Sequence, residues 1–153
     1  MNERTAALRK PRILIADDDR DTVSTLAILL RAEGYEVRGV YNGIEALKHA
    51  RLIAFDAVIL DIDMPDLSGY AIAHEVRKHY YGRRTRTPLL VAISGKWHRV
   101  SEKHVAQAVG FDHLLVKPCD PGVLLSLLDP QSGREFRQRP ASGRRRLSRV
   151  SGA

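Results

Sequence analysis

Residues 55–69, FDAVILDIDMPDLSG, decide the fold. Residues 57–60 form a short apolar run with two β-branched side chains, bounded by Asp56 in front and by Asp-Ile-Asp-Met-Pro behind. That pattern predicts a buried strand over 56–60 that ends in a turn. Asp61 is the first residue past the apolar run. Chemistry in open α/β sheets collects at the carboxyl ends of strands. A single Asp there is also an ordinary turn residue, so its meaning rests on what the other strands place beside it.

Outward from this stretch the chain alternates strand and helix patterns. Residues 12–16, RILIA, end abruptly in Asp17-Asp18-Asp19 and read as the first strand. Residues 21–33 carry Val23, Leu26, Ala27 and Leu30 on one helical face, closed by Gly34. Residues 35–40 alternate apolar and polar, as suits an edge strand. A second helix over 43–53 is expected to face inward with Ile44, Leu47 and Ala50. Ser68 is a candidate N-cap for a third helix reaching about Tyr80, with Ile72, Ala73 and Val76 inward. A basic loop, YGRRTRT, spans 81–87 and leads to a buried strand over 88–93. The spacing predicts a weaker helix over 99–109 with Val105, Ala108 and Val109 inward, then a fifth strand within 111–116. Asp120-Pro121 supplies an N-cap and a Pro at N1 for a last, apolar helix over 121–128.

Five strands alternating with five helices mean an α/β fold with a parallel sheet. The half-polar second strand belongs at an edge. Order 2-1-3-4-5, doubly wound and flavodoxin-like with helices on both faces, places it there and keeps the crossovers right-handed.

At 153 residues, with 44% hydrophobic and 28% charged side chains, one ordinary domain is expected. The single cysteine, Cys119, excludes an internal disulfide and fits a reducing compartment. No apolar run approaches the length of a membrane span, about 18 residues, and residues 1–12 lack an apolar signal core. A cytoplasmic protein is expected. The net charge is +7, and residues 130–153 hold seven arginines against the single acid Glu135. The body is therefore near neutral and the basic character belongs to the tail. We expect an extension over 1–10, a folded domain over 11–129 and a basic, disordered tail over 130–153. The tail is a candidate tether for nucleic acid or another polyanion, without base specificity.

Four predicted strands deliver polar side chains to one rim: Asp17 and Asp18, Asp61, Ser94 followed by Gly95, and Lys117 followed by Pro118. Each alone has an ordinary reading as a cap, a turn residue or a surface lysine. Their recurrence at one topological position does not. Crowded acids raise one another's pKa unless a cation removes the conflict. Mg²⁺ takes one or two carboxylates together with water and phosphate oxygens. A carboxylate can then attack phosphorus, with the metal and Lys117 offsetting charge on the phosphoryl oxygens. Ser94 offers a hydroxyl to a phosphoryl oxygen, and Gly95 leaves room for a donor.

On these residues, with Asp61 set in D-I-D-M-P-D-L-S-G, residues 11–129 resemble the receiver domain of two-component response regulators. The 110–121 stretch is similar to receiver modules of hybrid histidine kinases. The resemblance implies that Asp61 accepts a phosphoryl group from a histidine kinase or a histidine phosphotransfer protein, and that the chain does no chemistry beyond its own phosphorylation and dephosphorylation. It implies Mg²⁺ held by Asp18, Asp61 and the main-chain carbonyl of Asp63, with Asp17 acting through water. It implies Ser94 as the residue that follows the phosphoryl group, Lys117 as the ion-pair partner of that group, and a cis bond before Pro118. Two features depart from the family: Leu114 stands where an aromatic switch residue is common, and a stand-alone receiver is expected where many relatives carry an output domain.

Three alternatives compete. Asp61-x-Asp63 has the two-acid spacing of haloacid-dehalogenase-like phosphatases, but it follows the third strand, and Met64-Pro65 does not match that family. A nucleotide-binding flavodoxin-like module would need a Gly-rich loop where Asp17-Asp18-Asp19 stands. A receiver-like module that no longer takes phosphate would have lost the acceptor, the acid pair or the lysine, and all are present. The six histidines are scattered with no metal spacing. Trp97, three residues past Ser94, is a candidate reporter of the site.

Overall fold

The computed structural model describes residues 9–95 and 100–129. The Trp97 reading, the tail over 130–153 and most of the extension over 1–10 lie outside these residues. Five parallel strands, β1 (Arg12–Ala16), β2 (Glu36–Val40), β3 (Ala57–Asp61), β4 (Leu89–Ser94) and β5 (His113–Val116), form one sheet in the order β2-β1-β3-β4-β5. Five helices alternate with them: α1 (Arg20–Ala32), α2 (Gly43–Leu52), α3 (Gly69–Tyr80), α4 (Val100–Val109) and α5 (Pro121–Leu128). This is the expected fold class and strand order.

The sheet buries both faces, so its central strands are apolar on both sides. Leu14, Ala16, Val58, Leu60, Leu90 and Ala92 face α2, α3 and α4, where they meet Ala46, Ala50, Ile72, Ala73, Val76 and Ala106. Ile13, Ile15, Ala57, Ile59, Val91 and Ile93 face α1 and α5, where they meet Val23, Leu26, Ala27, Leu30, Leu124 and Leu128. All five β3 residues are buried, including Asp61. The half-polar β2 is an edge strand.

Two helices depart in part from the sequence reading: Leu47, Ala50 and Val109 face inward as expected, while Ile44, Val105 and Ala108 do not. In α2 the inward line is Gly43, Ala46 and Ala50, with Leu47 packed at its margin, while Ile44 lies outside, 62% exposed. In α4 the fully buried residue is Ala106, with Val109 packed beside it, and Val105 and Ala108 are exposed. In both, a small side chain sets the phase because the helix approaches its neighbours closely. The larger residue one position away is turned about 100° off the buried line.

Helix ends follow the capping rules. Asp19, Asn42, Ser68 and Asp120 each accept from a backbone N–H of the first turn, and Pro121 opens α5. Gly34 and Gly110 take positive φ after α1 and α4, where a side chain would be strained.

Polar anchors that sequence reading missed fix the pole opposite the strand ends. Asp56 Oδ2 accepts from Arg12 N at 2.7 Å and tethers the starts of β1 and β3. Arg77 donates to Gly110 O at 2.9 Å, to Pro88 O at 3.3 Å and to Asp112 Oδ2 at 2.8 Å, and Asp112 also accepts from Leu90 N at 2.9 Å. One guanidinium thus joins the end of α3 to the entries of β4 and β5. Asp112 has a buried side chain, so removing its partner strands a charge. Arg77→Ala is expected to cost about 2–3 kcal/mol in urea unfolding, well beyond an exposed Arg→Ala such as Arg84→Ala. Equal midpoints for the two variants would contradict this role.

Candidate functional site

The register of the sheet builds the site. Ala16 stands opposite Leu60, and Leu60 opposite Ala92, so Asp17 and Asp61 follow the same row of adjacent strands. Period-two alternation places Asp17, Asp61 and Lys117 on the face of Ile15, Ile59 and Leu115. Ser94 ends β4 opposite Val116, and Lys117 N donates to Ser94 O at 3.0 Å, which holds the last two strand ends together.

Asp17, Asp61 and Ser94 are the buried polar residues among those described, at 2%, 5% and 3% exposure, while Asp18 is open to solvent. Lys117 Nζ lies 2.8 Å from Asp17 Oδ2 and 3.4 Å from Asp61 Oδ2. The other oxygen of each acid turns to its own loop. Asp19 N donates to Asp17 Oδ1 at 2.9 Å, and Asp63 N donates to Asp61 Oδ1 at 3.3 Å. One carboxylate oxygen from each of Asp17, Asp18 and Asp61 lies within 4.8 Å of the others. Three hard oxygen donors at that spacing, partly open to water through Asp18, fit a divalent cation of the Mg²⁺ kind.

The electrostatics agree with the crowding. Burial, then the charge of Asp17, pushes the Asp61 carboxyl up to about 6 from its ordinary 3.8, against the opposing pull of Lys117. Burial alone would lower the Lys117 ammonium; its hydrogen bond to Asp17 and the charges of Asp61 and Asp17 outweigh that and raise it. Lys117 is one cation facing two acids, which leaves negative charge for another cation.

The remaining candidates are placed as follows. The side chain of Asp63 is exposed and stands outside the carboxylate trio. Among the described residues, no atom lies within 4 Å of where a Cβ on Gly95 would stand. The bond between Lys117 and Pro118 is cis. Leu114 packs, partly buried, against the core cluster of α2, α3 and α4. Cys119 is half-buried, and burial followed by the charge of Asp120 raises its thiol, as befits a packing residue.

Two supports escaped the sequence reading. Asp66 accepts from Gly43 N and Ile44 N, both at 2.9 Å, so the loop after Asp61 is pinned to the start of α2. Those two hydrogen bonds, led by the one from Ile44, hold the Asp66 carboxyl below its ordinary value. A Cβ on Gly43 would collide with the Leu67 carbonyl. A Cβ on Gly69 would stand 2.6 Å from the Asp61 carbonyl oxygen and 3.0 Å from Ile62 Cα. Gly69 therefore lets α3 start directly under the strand end that carries Asp61. The only sequence signals were an acid and two glycines, with partners more than twenty residues distant in the case of Asp66.

The family model described as "Response regulator receiver domain" matches residues 13–129. The chain belongs to the response regulator receiver family. This receiver domain is 33% identical over 132 residues to the CAI-1 autoinducer sensor kinase/phosphatase CqsS of Vibrio cholerae, covering 82% of this chain and 18% of that one. The chain spans less than half the length of the first curated relatives it matches. Among solved structures it superposes with a TM-score of 0.69 and 29% identity on the chemotaxis response regulator CheY4 of Vibrio cholerae, covering 78% of this chain and 97% of that one. It superposes with a TM-score of 0.68 and 28% identity on the receiver domain of sensor histidine kinase PA1611 from Pseudomonas aeruginosa, solved with magnesium in its active-site cleft, covering 78% and 95%. The receiver family is a signalling family. No helix among the described residues is long and apolar enough to cross a membrane.

A raised carboxyl pKa has a definite sign in stability. Between the ordinary value of 3.8 and about 6, the folded receiver binds more protons at Asp61 than the unfolded chain does. The stabilising contribution of protonated Asp61 is complete below the unfolded value and is lost as pH rises through about 6. In EDTA, thermal unfolding is therefore expected to show a component that declines from pH 4 to pH 7, on the order of 2 kcal/mol. Asp61→Asn should remove that component and unfold at higher temperature than wild type at pH 7.5. Added Mg²⁺ should raise the wild-type midpoint at pH 7.5 and leave Asp61→Asn nearly unchanged.

Proposed function

We propose that this receiver takes a phosphoryl group from the phosphohistidine of a histidine kinase or histidine phosphotransfer protein onto Asp61. The observation that carries the reading is the buried Asp61 carboxylate held beside Lys117 and Asp17 at the carboxyl end of β3. An Asp61 carboxylate oxygen forms the new bond to phosphorus while the bond from phosphorus to the donor imidazole nitrogen breaks, and the imidazole leaves with a proton.

Asp18, Asp61 and the main-chain carbonyl of Asp63 would hold Mg²⁺, with Asp17 acting through water. Magnesium in the cleft of the related kinase receiver supports this reading. Bound there, Mg²⁺ supplies positive charge against the phosphoryl oxygens. Lys117 exchanges its pairing with Asp61 for one with a phosphoryl oxygen, and its fixed charge is worth most in this buried setting. The Ser94 hydroxyl donates to another phosphoryl oxygen, and Gly95, with no side chain, leaves room for the donor. Leu114 has no ring to turn, so the response to phosphate travels through Ser94, Lys117 and the backbone of the strand ends. The reading extends to a receiver over residues 11–129, acting in the cytoplasm and catalysing only its own phosphorylation and dephosphorylation.

Incubation with acetyl phosphate and Mg²⁺ is expected to give a single phosphoryl adduct by intact mass, mapped by peptide analysis to Asp61. Asp61→Asn and EDTA should each abolish it, and Lys117→Ala should retain part of the labelling while losing the conformational response. An adduct elsewhere, or undiminished labelling in EDTA, contradicts the assignment. No adduct under any condition supports a receiver-like module that has stopped taking phosphate.

A further inference from the structure

The pole of the sheet opposite Asp61 is basic. Residues 78–86, the end of α3 and the loop into β4, carry Lys78, Arg83, Arg84 and Arg86, all exposed and without an intervening acid. Four acids at this pole are already engaged by other arginines, in the pairs Arg9–Asp56, Arg12–Glu36, Arg51–Glu75 and Arg77–Asp112. Lys78, Arg83, Arg84 and Arg86 are in none of these pairs. Glu33 and Asp129 gather instead about Tyr35, beside the ends of α1 and α5.

The ends of α2 and α3 bring more to the same place. The Tyr80 hydroxyl donates to Ala50 O at 3.3 Å, and Arg51 bridges to Glu75 at 2.8 Å. Arg83 and Arg51 both act on the charge of His79, which marks them as parts of one region. Within this basic field Tyr81 is 71% exposed and Leu52 is 73% exposed. Gly82 takes a φ of +72°, a turn that an L side chain disfavours, directly between Tyr81 and the arginines.

We infer that this pole is a binding surface for single-stranded nucleic acid, with Tyr81 as the stacking platform and Lys78, Arg83, Arg84 and Arg86 on the phosphates. An exposed aromatic ring flanked by cations is what an unpaired base and its backbone require, and a paired duplex has no base face to offer it. Two exposed apolar side chains provide little area to insert into a lipid interface. The five-residue strands separate this pole from Asp61 by about 16 Å, roughly twice the Debye length at physiological salt. Binding is therefore compatible with phosphotransfer and independent of its state.

The test is fluorescence anisotropy of labelled oligo-dT and oligo-rU with the full chain, from low to moderate salt. The triple variant Arg83→Glu/Arg84→Glu/Arg86→Glu is compared with Arg144→Glu/Arg145→Glu/Arg146→Glu, which changes the net charge equally at another place. A milder Arg83→Gln/Arg84→Gln variant and Tyr81→Ala are carried alongside, with circular dichroism to confirm the fold. The loop triple is expected to weaken binding more than about tenfold and to lower the salt slope by about 2, and Tyr81→Ala to weaken it about fivefold. The 144–146 variant should lose less, and Asp61→Asn nothing. The inference is overturned if the chain does not bind either oligonucleotide, if the two triple variants lose equally, or if phosphatidylserine vesicles bind in place of the oligonucleotides.

Discussion

The structure depends on keeping a carboxylate at the end of a strand that is buried on both faces. β3 is central, and its last residue, Asp61, has almost no contact with solvent. A charge in that setting is tolerated only with compensation. Lys117 provides part of it, reaching Asp17 and Asp61 from the neighbouring side of the sheet. The raised Asp61 pKa shows that the compensation is incomplete. That residual imbalance is what a cation or an incoming phosphoryl group can relieve, so the same burial that destabilises the resting site prepares it for chemistry.

Close backbone approaches support this arrangement. Gly69 lets α3 begin against the Asp61 carbonyl, and Gly43 lets the loop after β3 pass over the start of α2. Asp66 then locks that loop to two amides of α2. These contacts hold the acceptor's loop rigidly while using no side chain from the reactive trio. The Arg77 clamp does the equivalent at the opposite pole, where one guanidinium replaces the many small contacts that loops could not supply.

The two poles carry opposite charge for separate reasons. At the carboxyl pole, Asp17, Asp18 and Asp61 are brought together by strand register. At the amino pole, helix C-termini favour cations, and Arg31, Arg51, Arg77 and Lys78 stand in the last turns of α1, α2 and α3. Lys78 and the 83–86 arginines exceed what salt bridges at that pole consume, and this surplus gives the surface its binding character.

The sequence by itself determined the element order, the parallel sheet and the residues at its reactive rim. Alternation, caps and apolar runs are local signals, and β3's continuous burial is written in four consecutive apolar residues. The strand order followed because the half-polar Glu36–Val40 suits only an edge. Tertiary structure alone decided the helix phases of α2 and α4, where Ala46 and Ala106 displaced the bulkier Ile44 and Val105 from the interior. It alone decided the partners of Asp56, Asp66, Arg77 and Asp112 and the close approach at Gly69. In each case the deciding contact joins residues distant in the chain or depends on how near two backbones come. Neither quantity is encoded in the local spacing of side chains.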